Sequence, residues 1–275
     1  MAVYVPSSLE DALDILQDPE CIVISGGTDY FPALKRCSGV KKLVSLMNIT
    51  ETQGLKSDRT GIRIGAALTW AQLIKSNLPP AFDALKKAGR QVGSVQIQNA
   101  ATVVGNLCNA SPAADGIPAL LALNAEVELH SAMRGRRQIS LMEFVKGVRK
   151  TDRKLDEIVT SIFVPRPPEG MKSVFLKLGS REYLVISIAM TALNVVLDKS
   201  GRVTDMRVAV GACSSVAQRL RSLENEALGK LLSEIQLNPE HLSVLSPIDD
   251  VRASAMYRRD AVLEQIRQAF FEVKS

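Results

Sequence analysis

Aromatic residues are scarce, 4% of the 275 positions, and the four cysteines, Cys21, Cys37, Cys108 and Cys213, stand far apart without a C-x-x-C pair. Two histidines occur, His130 and His241, and neither falls in a Ser, Cys or Asp pattern that would make a triad. These absences exclude a metal or iron–sulfur site built by ligand spacing within this chain, and no side chain is assigned as catalytic. Missing too are an apolar run approaching the roughly 20 residues that cross a bilayer and a basic, then apolar, N-terminal stretch. The expectation is a soluble, cytoplasmic chain with no membrane insertion, its cysteines serving as small core residues in a reducing compartment. The net charge of +5 is thinly spread. Its densest patch, Arg134-Gly135-Arg136-Arg137, has no aromatic residue to stack a base. It reads as a solvated hairpin tip or a subunit contact, and no nucleic-acid partner is expected.

What is present is 46% apolar residues, enough for a sizeable aliphatic core shared between two packed domains. Ser7 and Glu10 form a capping box ahead of Leu9, Ala12, Leu13 and Leu16 at helical spacing. Cys21-Ile22-Val23-Ile24 predicts a buried strand, residues 31–36 a brief helix and residues 43–46 a second strand. Residues 62–68 predict another strand, Thr69 a helix cap, and residues 82–88 a helix. Residues 93–118 carry Gly, Asn, Ser, Pro and Asp at close intervals with almost no charge, which reads as an ordered loop folded around something. A helix start at Ile117-Pro118 and strands at 126–130 and 158–164 follow. Pro165-Arg166-Pro167-Pro168-Glu169-Gly170 marks a domain junction. Beyond it, residues 187–197 and 202–212 read as strands joined by the hairpin Asp198-Lys199-Ser200-Gly201, and helices at 217–235 and 253–271 close the chain.

Two glycine turns carry the functional signal. In Ser25-Gly26-Gly27-Thr28-Asp29 a strand ends in small residues able to turn backbone N–H groups inward, a nest that holds a pyrophosphate without a lysine. Thr102-Val103-Val104-Gly105-Asn106 leads through a low-charge stretch to Asp115. That acid is read either as a helix N-cap or as a carboxylate accepting hydrogen bonds from a ligand.

In combination these pieces resemble the flavin-carrying medium subunit of the molybdenum hydroxylases, the group of xanthine dehydrogenase, aldehyde oxidase and aerobic carbon monoxide dehydrogenase. The resemblance rests on Gly26-Gly27-Thr28-Asp29 with Pro32, Gln96-Ile97-Gln98-Asn99 leading into Thr102 and Asn106, and Ala110-Ser111-Pro112 with Asp115. It continues through Lys177-Leu178-Gly179-Ser180-Arg181 and Arg252-Ala253-Ser254-Ala255-Met256-Tyr257-Arg258-Arg259. It implies an α+β fold: a two-lobed PCMH-type FAD-binding domain over residues 1–168, with lobes at about 1–55 and 56–168. A smaller C-terminal α+β domain, an antiparallel sheet with helices, would span residues 169–275.

It further implies that Val23, Ile24, Ser25, Gly26, Gly27, Thr28, Asp29 and Tyr30 wrap the FAD diphosphate. Thr102, Gly105 and Asn106 would approach from the other lobe, and Asp115 and Lys177 would hold polar ends of the cofactor. Tyr30 and Tyr183 are candidates to pack on the flavin ring. The implied protein is an oxidoreductase subunit that does not turn over substrate alone. It would accept electrons from the 2Fe-2S clusters of a small subunit, beside a large subunit with a molybdenum–pterin centre, in a heterotrimer or its doubled form. Two departures stand out. Val104 occupies a position where the family has glycine, so it either takes an ordinary conformation pointing away from FAD or reshapes the pocket, and Gln98 stands where the family often has Arg. Two other readings remain open: a self-sufficient FAD-dependent oxidoreductase, and a non-catalytic scaffold that has lost FAD.

Overall fold

The computed structural model describes residues 2–34, 42–182 and 184–274. The first lobe runs β1 (Val3–Tyr4), α1 (Leu9–Ile15), β2 (Cys21–Ile24), α2 (Tyr30–Ala33) and β3 (Lys42–Ser45). Its three strands pair in parallel in the order β1-β3-β2, which requires crossovers such as α1 between them. Leu9, Ala12 and Leu13 bury the inner stripe of α1. Its cap is Ser8, whose hydroxyl accepts the Asp11 N–H, and not Ser7 as the sequence pattern predicted.

The second lobe begins with β4 (Leu55–Ser57) and β5 (Gly61–Gly65), followed by α3 (Trp70–Lys75) and α4 (Asp83–Arg90). Thr69 caps α3 in a full capping box with Gln72. Residues 93–118, expected as a loop, instead hold α5 (Val95–Ala100), α6 (Val103–Asn109) and the start of α7 (Gly116–Ala122). Ser94 and Thr102 cap the first two. Next come β6 (Glu126–Ser131), β7 (Gly135–Ser140), α8 (Leu141–Phe144), the small ribbon β8 (Val145–Gly147) and β9 (Lys150–Thr151), and the long β10 (Glu157–Pro165). The lobe's five-stranded antiparallel sheet has the order β4-β5-β10-β6-β7.

After the proline segment the chain forms β11 (Lys172–Leu178), which the sequence reading missed, then β12 (Ala189–Leu197), β13 (Val203–Gly211) and β14 (Gln218–Arg219) in one antiparallel sheet. The helix expected over 217–235 is only α9 (Arg221–Ala227), because Gln218 and Arg219 are drawn into the sheet edge and Gly229 turns at positive φ. α10 (Ala255–Glu272) closes the fold.

Side chains on this last sheet alternate with period two. Phe175, Met190, Ala192 and Ala209 join the apolar core of the first two lobes, facing α4 and α7. Val174, Leu176, Leu193, Val195, Val208 and Val210 belong to a second core with α9 and α10. Gly211 lies so close to Pro118 of α7 that a Cβ would come within 2.8 Å of its ring. Among the described residues no helix is long and apolar enough to cross a membrane.

Candidate functional site

The backbone after β2 sets the site. Gly27 sits at φ +67°, and a side chain there would strike the Phe31 ring at 2.4 Å. Gly26 touches the other lobe: a Cβ would fall 2.0 Å from the carbonyl oxygen of Ala100, at the end of α5. Glycine at both positions is thus a steric requirement of this turn and of this approach. The lobes are further joined by Ser25 Oγ, which donates to the Ala66 carbonyl at 3.4 Å.

Opposite this turn, Thr102 Oγ1 accepts the Gly105 N–H at 3.0 Å and so fixes the first turn of α6. Val104 lies within that helix, outside the positive-φ residues, and is 3% exposed. Its backbone is ordinary; its side chain is buried in the core and also borders the cavity between the lobes.

That cavity has a volume of about 440 Å³. It gathers all eleven candidates from the two glycine turns: Val23, Ile24, Ser25, Gly26, Gly27, Thr28, Asp29 and Tyr30 from one lobe, and Thr102, Gly105 and Asn106 from the other. Trp70, Cys108, Asn109, Arg149 and Arg153 complete walls that the sequence reading did not foresee. Two polar atoms of this lining, Tyr30 Oη and Trp70 Nε1, are buried without a hydrogen-bond partner in the protein, a costly state unless a ligand or solvent group meets them. Burial pushes the Cys108 thiol up to about 12 against the opposing charge of Arg153, so it stays a neutral wall residue. A groove of about 500 Å³ on the outer face of the five-stranded sheet offers less. There Arg63 is taken up by Glu128 and Asp58, and Arg137 by Glu157 and Asp152.

Asp115 and Lys177 do not line the cavity; they meet each other. Lys177 Nζ lies 2.7 Å from Asp115 Oδ2, and Ser187 Oγ donates to Asp115 Oδ1 at 2.7 Å. The side chains of the ion pair are 5% and 9% exposed. Burial pushes the Asp115 carboxyl up, opposed by the Lys177 charge and by hydrogen bonds from Lys177 and Ser187. Asp115 has helical backbone angles and makes no capping bond, so the N-cap reading falls. Its neighbour Gly116 abuts Trp70 and Asn106, which puts the pair directly behind the cavity wall. Tyr183 lies outside the described residues.

A family model for the FAD binding domain in molybdopterin dehydrogenase matches residues 1–167, and one for the CO dehydrogenase flavoprotein C-terminal domain matches residues 175–273. The chain is 30% identical to the nicotine 6-hydroxylase medium subunit of Paenarthrobacter nicotinovorans, over 97% of this chain and 95% of that one. It is also 30% identical to the nicotinate dehydrogenase FAD-subunit of Eubacterium barkeri, over 98% and 95%. Its fold matches a chain of a cyanide-inactivated Cu,Mo-CO dehydrogenase with a TM-score of 0.90 at 22% identity, covering 98% of this chain and 96% of that one.

Proposed function

The chain belongs to the family of FAD-binding medium subunits of molybdenum hydroxylases, and from that premise we propose that it holds FAD between its lobes and relays electrons from iron–sulfur clusters on a partner chain to a terminal acceptor. The observation that carries this reading is the convergence of both glycine turns on one cavity. These residues fit FAD. Backbone N–H groups of the 26–29 turn, where Gly26 and Gly27 leave the backbone uncovered, suit a diphosphate.

When bound, FAD supplies the redox chemistry, taking electrons singly and releasing them as a pair. The chain's own residues bind, orient and shield. Gly26 and Gly27 let the backbone come close, Thr102 holds α6 in place, and Val104 and Trp70 exclude water from the inner wall. Asp115 and Lys177 support that wall from behind. In this reading the chain works with a molybdenum-binding large subunit and an iron–sulfur small subunit, as a heterotrimer or its doubled form.

Trp70 is the chain's one tryptophan and lines the cavity, so its fluorescence reports on the site. Titrating the flavin-free full chain with FAD is expected to quench Trp70 saturably, with one flavin retained per chain after desalting. Gly26→Ala is expected to abolish both, because its methyl group meets the Ala100 carbonyl. Wild-type protein that shows neither saturable quenching nor retained flavin would refute the reading.

A further inference from the structure

Two arginines stand in the cavity wall. Arg149 and Arg153 come from the β8–β9 ribbon and the loop after it, and they are the cations among the described residues that line the cavity. Asp29 is the one acid beside them. Other arginines nearby are spent on carboxylates: Arg134 pairs with Asp156, and Arg137 with Asp152 and Glu157. Arg149 and Arg153 form no such ion pair among the described residues.

Both are nevertheless held in place. Arg149 sits at φ +53°, a left-handed backbone that a long side chain adopts at a cost. Its N–H donates to the Ala110 carbonyl at 2.9 Å, and its Nη1 donates to Asn109 Oδ1, which ties the ribbon tip to the end of α6. Arg153 Nη1 donates to the carbonyls of Lys154 and Glu157, at 3.1 and 2.8 Å. Each guanidinium keeps N–H donors beyond those bonds, since the group carries five. A strained tip, positioned heads and uncompensated charge beside a cavity describe a site for an anion whose geometry suits the arginine fork.

We propose that Arg149 and Arg153 recognise the diphosphate of the ADP half of FAD and thereby select FAD over FMN and riboflavin. The inference rests on the reading of the cavity as the FAD site. Two arginines against Asp29 leave one net positive charge in the lining, and a diphosphate brings two negative ones. The glycine turn supplies neutral donors on the opposite side, so the arginines supply the charge that makes binding sensitive to salt.

The experiment uses the flavin-free full chain, with Trp70 quenching by FAD as the signal and ADP, adenosine, FMN and riboflavin as competitors at low and high salt. ADP is expected to displace FAD at concentrations at least about tenfold lower than adenosine, the scale of a charge-assisted contact, and salt is expected to narrow that gap. Arg149→Gln with Arg153→Gln is expected to weaken ADP binding by about tenfold or more while adenosine is unchanged. Lys150→Gln, exposed on the same ribbon, serves as control and leaves ADP binding intact. Equal competition by ADP and adenosine in wild-type protein overturns the inference, as does a folded double variant that binds ADP within about twofold of wild type. Should the double variant fail to fold, the wild-type ADP-to-adenosine ratio and its salt dependence decide. Absence of saturable FAD quenching in wild-type protein overturns the underlying reading as well, so the two failures are distinct.

Discussion

Asp115 and Lys177 show how a pair of residues can be singled out for one role and be found in another arrangement. Each is isolated in the sequence, and only the resemblance joined them; the fold brings them within 2.7 Å, across the contact between the second lobe and the last sheet. Removing one partner of a buried pair leaves the other charge without compensation. Lys177→Met is therefore expected to cost about 3–5 kcal/mol, read as a lower urea midpoint, and Asp115→Leu combined with Lys177→Met to recover part of it. The glycines were legible because their steric demands are local. Arg149 and Arg153 were not, because an arginine in a polar ribbon has no pattern until tertiary structure sets it beside a cavity.

At the scale of elements, β2, β10 and the closing helix α10 fell close to where the sequence placed them, whereas β11 and the short helices α5 and α6 did not. α5 and α6 span six and seven residues, fewer than two turns, so their apolar pattern never repeats. Their caps were in plain view at Ser94 and Thr102, amid the small polar residues that read as loop. The hairpin of β6 and β7 against β10 carries a pH dependence. Burial pushes the Glu157 carboxyl up, but hydrogen bonds from Arg137 and the Lys154 amide, with the charges of Arg137 and Arg134, outweigh it and hold it below its ordinary value. A hydrogen bond from Arg137 likewise lowers Asp152. Lowered carboxylates stabilise above their unfolded values, and that stability is lost as pH falls through their folded ones. Asp115, raised by burial, has the opposite sign. The urea midpoint of wild-type protein is expected to fall as pH drops from about 5 to about 3. Glu157→Gln should be less stable at neutral pH and show a shallower fall.

The whole molecule is less divisible than its chain. The proline segment is the clear break in sequence, yet the apolar core runs past it, since Met171, Phe175, Met190, Ala192 and Ala209 share a cluster with both lobes. Polar contacts cross at the same place. Ser173 Oγ accepts the Ala84 N–H and donates to the Pro80 carbonyl, Asn194 Nδ2 donates to the Ala81 carbonyl, and Arg219 donates to the Leu121 carbonyl. A fragment ending at Pro168 is expected to bind a hydrophobic dye and to melt without a cooperative transition, whereas the full chain melts in one. The pairing of β12 with β13 was readable from two strand-like runs and the Asp198-Lys199-Ser200-Gly201 hairpin between them. Which neighbour each face would cover was not, because that depends on residues about a hundred positions away.

That shared face sets an order on biosynthesis. A ribosome makes residues 1–165 first, and α4 and α7 then present Ala84, Leu85, Ala88 and Leu120 with nothing yet made to cover them. The cover of α4 arrives with β11, and that of α7 only when β12 and β13, ending at Gly211, have emerged. Until then the nascent chain exposes apolar surface that folding factors must shield, and the Asp115 carboxylate waits for Lys177. The wall that backs the cavity is thus completed only after β11, which carries Lys177, has been made.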